Sequence, residues 1–487
     1  MKQKKSSIKQ AGQGETLTIP EPLELLTQGD SGHARTGQDM LASVWHRVSA
    51  TRWPHWLLLL LAVALFCETG WLVALAPTDI AHYECYGLTF WLGSHATTLL
   101  PQAQCAFLSI TSPQPALHML PQEYPPLTLL AFSLPLLAPL PYYTLSFALL
   151  MVLVVAAIYW LLARSGARGA ALLFLLYLVL GTLAVVQERF DLLPAACTLI
   201  CVLAAERGRW RTAYLALALG VLLKLYPIVM LPALFLAEQR AALATQTFVA
   251  ESQAWLARTW ESVRRWRWQN SLLFTGLVVA VTGGFALLNV NDALVGPLNY
   301  FVQRPAQIES LASSVIWVSS HFGVHYKIDF TFGSFNIESS LMRSISPVDT
   351  LLTVTGILGV LWLQWRNKID LAQAFVALVC VLMTTGKVFS PQYLIWLIPL
   401  LVYIYACGNT NRTWMHCWAA ISLLTTGIYL IYYSHLPDPS KVDPATAAHI
   451  FATLPGFFEM VALRNVLLLV TTLAFVCGWW GVRRKHA

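Results

Sequence analysis

Long apolar blocks separated by short polar turns run through this chain from residue 53 to residue 482. They fall at 53–76, 142–163, 169–187, 190–206, 211–223, 225–237, 271–290, 348–365, 371–386, 390–406, 413–433 and 461–482. A helix crossing a bilayer core needs about 20 mostly apolar residues. The pattern therefore predicts about 12 transmembrane helices, with the shortest pair flanking Lys224. Residues 1–52 differ: they are polar, open on "MKQKKSSIKQAGQGETLTIP", and have no short apolar core of the kind a signal peptide carries. They are expected to be a disordered cytoplasmic tail, and 53–487 a single polytopic domain. No internal repeat, low-complexity tract or soluble domain is visible.

Composition agrees. With 57% hydrophobic and 11% charged residues and a mean hydropathy of +0.60, the chain does not read as a soluble globular protein. The net charge of +7 does not call for a nucleic-acid partner, because the cations are sorted by position. If both termini are cytoplasmic, 23 of the 31 Lys and Arg residues fall in cytoplasmic segments. These are the tail up to Arg52, Arg164 and Arg168, the Arg207–Arg211 turn, Arg240 to Arg267, Arg366 and Lys368, Arg412, and Arg483 to Lys485. The flipped orientation violates the positive-inside rule at nearly every loop. Asp79, just after the first block, then faces outward, as do two long loops at 77–141 and 291–347. Long connections outside a bundle usually carry function. The first contains "YPPLTLLAFSLPLLAPLP", too short to span comfortably, and is expected to form a juxtamembrane or re-entrant helix. The inner segment 238–270 is basic and tryptophan-rich, as an amphipathic interfacial helix would be. Cys85 and Cys105 share the first outer loop, and the sequence leaves open whether they pair.

Ionisable groups gather at the outer ends of the blocks. "VVQERFDLLPA" supplies Glu188, Arg189 and Asp191, and "GVLLKLYPIVMLP" supplies Lys224. "YFVQRPAQIES" adds Arg304, Gln307 and Glu309, "MTTGKVFSPQYLIW" adds Lys387, Gln392 and Tyr393, and "LPQEYPPLT" adds Glu123. Each alone could be an interfacial anchor or a local ion pair; Glu68, within a block, reads as a structural acid. As a set at one membrane face, they fit transfer of a sugar from a lipid-linked phosphate. The phosphate leaving group needs cationic stabilisation rather than a general acid. The attacking hydroxyl needs one carboxylate base, and displacement from the opposite face inverts the anomeric carbon. There is no GxxxxGK[ST], HExxH or CxxC motif, and no Asp-x-Asp pair to hold a metal–nucleotide-sugar complex. His321 and His325 stand four residues apart but lack an adjacent third ligand, so substrate hydrogen bonding suits them better than zinc.

Taken together, "TDIAHYECYG", "YPPLT", "RFDLLPA", "LKLYPIVMLP", "QIES" and "FSPQYLIW" resemble glycosyltransferase family 87, of the C-type superfamily of polyprenyl-phosphate-dependent enzymes. The resemblance runs in order from about residue 56 to 480. It implies an all-α integral membrane protein of C-type architecture, with juxtamembrane helices in both long outer loops. It also implies a plasma-membrane mannosyltransferase using a donor such as polyprenyl-phosphate-mannose, with a glycolipid or glycan acceptor, an outward-facing site and no required metal or cofactor. The family's essential aspartate follows the first span, and Asp79 matches it as the base. Charge and placement assign the donor phosphate to Arg189, Lys224, Arg304 and Lys387. His82, Tyr83, Glu123, Tyr124, Asp191, Gln307, Glu309, Gln392 and Tyr393 complete the expected substrate-binding set. The competing class is a transporter or flippase for a lipid-linked saccharide. Transporters favour inverted repeats and midplane charges, whereas these charges collect on one side.

Overall fold

The computed structural model describes residues 60–68, 79–108, 110, 112–183, 185–244, 266–433, 446, 449–450 and 453–478. The expected tail, most of the first apolar block and 245–265 of the inner segment lie outside the described residues. Helix dominates, and every apolar block with described residues falls on one. Among the described residues, five helices are long and apolar enough to cross a membrane: Leu140–Arg164, Gln269–Ala286, Met342–Trp365, Arg412–Tyr432 and Phe457–Val476.

The remaining blocks form shorter helices than the expected 12 spans require. Ala170–Thr182, Leu192–Glu206, Trp210–Leu223, Leu371–Thr385 and Tyr393–Ala406 run 13 to 15 residues, or roughly 20–23 Å at 1.5 Å per residue. Burial explains their composition. Leu371–Thr385 and Tyr393–Ala406 are covered on nearly every side by neighbouring helices, and a helix apolar all round belongs in such a setting. Only 6% of the apolar window in Gln269–Ala286 and in Met342–Trp365 is buried, so these two present their apolar surface outward, toward lipid. The core is one large cluster through the bundle and a smaller one around Ile308, Ile316, Ile337, Phe457 and Val461.

Three segments depart from expectation. The block at 225–237 begins as a tight turn, Tyr226–Met230, and becomes a helix only over Leu231–Ala244. That helix runs on into the inner segment expected to form a separate amphipathic helix. There Asn270 Nδ2 donates to Glu238 Oε1 at 2.7 Å, and the Gln239 amide bonds the Arg267 backbone at 3.1 and 2.7 Å. The first outer loop carries the helix Asp79–Leu92, and its proline-bracketed stretch forms short helical turns, Thr128–Ser133, Leu134–Leu137 and Leu140–Tyr142, rather than one helix. Prolines at 125, 126, 135, 139 and 141 interrupt the backbone donors a longer helix would need. At Gly87 a Cβ would stand 3.0 Å from the Phe132 carbonyl oxygen, so glycine lets Asp79–Leu92 lie directly on Thr128–Ser133.

The third departure corrects the all-α expectation. Within the second outer loop, β1 (Ala306–Gln307), β2 (Tyr326–Thr331) and β3 (Ser334–Ser339) form an antiparallel sheet in the order β1-β3-β2. "YKIDFTFGSFNIES" has the alternation a half-buried hairpin needs. Phe332 and Gly333 turn it with φ of 53° and 65°, the two positive values a two-residue primed turn requires. Tyr300 holds the unfavourable Phe332 conformation by ring contact at 5.3 Å and by donating to the Phe332 carbonyl at 3.1 Å.

Candidate active site

Asp79 opens its helix, where the first-turn amides and the helix dipole favour a carboxylate. Its Oδ2 pairs with Arg189 Nη2, and both side chains remain partly exposed, at 26% and 20%. Arg189 sits in the turn between Ala170–Thr182 and Leu192–Glu206, placed there by hydrogen bonds such as Glu188 N to Val185 O. Its Nε is buried without a hydrogen-bond partner among the described residues, so one guanidinium can hold Asp79 and still serve a second anion. One turn along, the His82 ring meets Phe107 at 4.2 Å, tilted by 39°. Phe107 is held nearby by the Cys85–Cys105 disulfide, whose Cα atoms are 5.8 Å apart. Burial lowers the His82 pKa, against the raising pull of Asp79, with Arg189 adding a smaller lowering effect.

Lys224 ends Trp210–Leu223 in an extended conformation (φ −157°, ψ 140°). Pro227 prevents the helix from continuing smoothly, and the break turns the lysine toward the preceding helical pair. Its Nζ lies 2.5 Å from Asp191 Oδ1, the same oxygen that accepts from Trp396 Nε1 at 2.5 Å. Asp191 Oδ2 is buried without a hydrogen-bond partner among the described residues. The ammonium also stands 5.1 Å from the Trp396 ring, 5.2 Å from Phe190 and 5.9 Å from Tyr124, within cation–π reach. Trp396 is clasped between Tyr226 at 4.1 Å and Tyr393 at 4.0 Å. Nothing in the residue pattern singles out Trp396, which stands one helical turn beyond Tyr393 in "QYLIW".

Glu123 and Arg304 close the group. The loop carrying Glu123 is tied to the start of the second outer loop, where Asn289 Nδ2 donates to His118 O at 3.0 Å and Gln122 Nε2 to Asp292 Oδ1 at 3.3 Å. Arg304 donates to Ser334 Oγ at 3.1 Å and lies 5.6 Å from the Tyr300 ring. Burial pushes the Glu123 carboxyl up to about 7; Arg304 opposes it, Asp79 adds to it, and Arg189 and the Tyr124 hydroxyl pull it down. Tyr83, stacked on Phe132 at 4.4 Å, feels Arg189, Asp79 and Asp191. Asp79, His82, Tyr83, Glu123, Tyr124, Arg189, Asp191, Lys224, Arg304 and Tyr393 thus share one electrostatic neighbourhood.

A raised folded-state carboxyl favours the protonated form in the fold. Its contribution to stability is full below the unfolded value of about 4.5 and is lost as pH rises through about 7. Glu123→Gln is therefore expected to flatten the fall of the thermal midpoint across that window. Parallel pH profiles for wild type and variant would show that Glu123 does not titrate there.

Two expected site residues lie elsewhere. Glu309 is 1% exposed; it accepts from Arg464 Nη1 at 2.9 Å and from the Tyr433 hydroxyl at 2.8 Å. A carboxylate so enclosed is withdrawn from the sugar-binding set. Lys387 belongs to the neighbouring seam: its charge acts on Asp349 of Met342–Trp365, and its carbonyl accepts from Gln307 N at 2.9 Å. Its charge is thus felt at Asp349 rather than within the Arg189–Lys224 group. Gln307 and Gln392 sit beside that seam, each with Oε1 buried and without a partner among the described residues. His321 Nδ1 faces the Trp317 carbonyl at 3.1 Å, at the end of Leu311–Ser320. Arg464 escaped notice because it lies inside an apolar block. A buried cation in a membrane helix costs about 2.5–3.5 kcal/mol on insertion scales, and that was the available signal.

Apolar helices that meet a membrane and present clustered cations beside carboxylates define a membrane-embedded group-transfer enzyme. Residues 123–391 match Glycosyltransferase family 87, and the chain belongs to that family. Glu123, Arg189, Asp191, Lys224, Arg304 and Gln307 fall inside the match; Asp79, Gln392, Tyr393 and Arg464 fall outside it. Among solved structures, the chain is similar to ArnT from Cupriavidus metallidurans in the apo state, with a TM-score of 0.40 and 16% identity over 88% of this chain and 78% of that one. The same protein bound to undecaprenyl phosphate gives 0.38 and 16%, over 87% and 78%. No curated protein sequence matches.

Proposed function

We propose that this glycosyltransferase moves a sugar, mannose in the first instance, from a polyprenyl-phosphate donor to a glycolipid or glycan acceptor, with inversion. The reaction takes place at the outer face of the plasma membrane, with both termini and the 1–52 tail in the cytoplasm and 53–487 as the polytopic domain. The observation that carries the reading is the Asp79–Arg189 contact, with Lys224 and Arg304 in the same neighbourhood. Asp79 takes the proton from the acceptor hydroxyl as it attacks the anomeric carbon. Arg189, through the Nε that has no partner among the described residues, and then Lys224 and Arg304 take up the charge that develops on the departing phosphate. Asp191 Oδ2 and the side-chain oxygens of Gln307 and Gln392 are acceptors suited to sugar hydroxyls, and His82, Tyr83, Tyr124 and Tyr393 wall the cleft. The Cys85–Cys105 disulfide beside Asp79 supports an oxidising, extracytoplasmic location for this face.

The test is reconstitution of the full chain in lipid nanodiscs with polyprenyl-phosphate-mannose and an envelope glycolipid extract. Donor consumption and a product of inverted anomeric configuration are expected. Consumption of a nucleotide-sugar instead, or retention of configuration, overturns the reading.

A further inference from the structure

One wholly buried guanidinium joins segments far apart in sequence, and the transfer chemistry does not use it. Arg464, near the start of Phe457–Val476, is 0% exposed. Its Nη1 donates to Glu309 Oε2 at 2.9 Å and its Nη2 to the Glu309 carbonyl at 2.5 Å. Nε and Nη2 reach Asn465 Oδ1 at 3.2 and 3.0 Å, and the guanidinium centre lies 4.0 Å from the Phe389 ring. Asn465 extends the grip, donating to the carbonyls of Glu309 and Ser310 at 3.1 and 2.9 Å and to Ser314 Oγ at 2.8 Å. Glu309 follows Gln307 and Arg304 on one segment, and Phe389 precedes Gln392 and Tyr393 on another. The two segments meet where Gln307 N donates to the Lys387 carbonyl.

We propose that Arg464 is a positioning residue of the transfer site: by holding Glu309 and Phe389 together it fixes the Arg304–Gln307 segment against the Gln392–Tyr393 segment. Substrate never touches it. The planar guanidinium can satisfy a carboxylate, a backbone carbonyl and an aromatic face at once, which a lysine ammonium cannot. The proposal rests on the transferase reading for its lipid-binding and kinetic arms; the exchange arm stands on the geometry alone.

The experiment uses the full chain in nanodiscs as wild type, Arg464→Gln, Arg464→Lys and Glu309→Gln. Amide exchange in peptides covering 304–310 and 387–393 is expected to rise about 10-fold in the variants, while peptides covering 79–92 and 185–195 keep wild-type protection. Undecaprenyl phosphate binding should weaken by a similar factor. With polyprenyl-phosphate-mannose as donor, kcat/KM should fall about 100-fold per folded molecule, as small misplacements from remote sites do, and the Arg464 and Glu309 effects should not add. Exchange that rises across the whole chain, or nowhere, overturns the proposal, as does wild-type lipid affinity in all three variants. If Arg464→Gln does not fold, Arg464→Lys and Glu309→Gln give the same readings. If wild type transfers no sugar, the transferase reading fails while the exchange result still decides the role of Arg464.

Discussion

Asp79→Asn is expected to lower sugar transfer by about 10²–10⁴-fold, the loss typical when a positioned general base is removed, with little change in folding. The asparagine keeps an oxygen for Arg189 Nη2 and fills the same volume, but an amide cannot accept the proton of the acceptor hydroxyl. The two effects separate by magnitude. Both partners of the Asp79–Arg189 pair are partly exposed, and such pairs contribute about 0–1 kcal/mol to stability. The rate loss corresponds to roughly 3–5 kcal/mol of transition-state stabilisation. Turnover with polyprenyl-phosphate-mannose and the thermal midpoint, measured on one preparation, read the two quantities. A variant that unfolds normally and transfers sugar at the wild-type rate removes Asp79 as the base.

The second large effect is expected at Lys224, where the obvious substitution misleads. Lys224→Ala leaves Asp191, 1% exposed, as a buried charge with its cation removed; breaking a buried pair in this way typically costs about 3–5 kcal/mol. Lys224→Ala combined with Asp191→Asn removes both charges and is expected to recover much of that stability. If Lys224 stabilises the departing phosphate, the double variant still loses about 10²–10³-fold in donor kcat/KM, the usual cost of removing one such charge from a transition state. If it regains wild-type donor kinetics, Lys224 serves only as a counter-ion for Asp191. Comparing Lys224→Ala, Asp191→Asn and the double variant by unfolding and by donor titration settles which role applies, because Asp191→Asn alone reports what losing a sugar acceptor does to donor kinetics.

The helical blocks were legible because a chain that must satisfy its backbone inside lipid has few options. Trp210–Leu223 and Arg412–Tyr432 fall within a residue or so of the apolar limits. The shared neighbourhood of Asp79, Glu123, Arg189, Lys224 and Arg304 was legible for the same reason, since ionisable groups at the ends of apolar helices seldom lie far from one another. What escaped the sequence depends on three-dimensional proximity. Glu309 has the composition of a sugar ligand, and only the approach of Phe457–Val476 enclosed it. Lys387 has the composition of a phosphate ligand, yet its charge acts on Asp349. The hairpin at Tyr326–Ser339 was written in its alternation and in Phe332-Gly333, but strong helical periodicity on both sides masked a signal only six residues long per strand. The number of spans was not legible, because a helix shielded by other helices can be apolar without matching the lipid thickness.

The Cys85–Cys105 bridge makes this transferase dependent on a second process, thiol oxidation. Phe107 is brought against His82 by a covalent tie that the chain cannot supply without an external electron acceptor. A cell whose oxidative folding capacity falls would still insert the bundle, yet would produce molecules in which Phe107 has lost the tie that keeps it against His82.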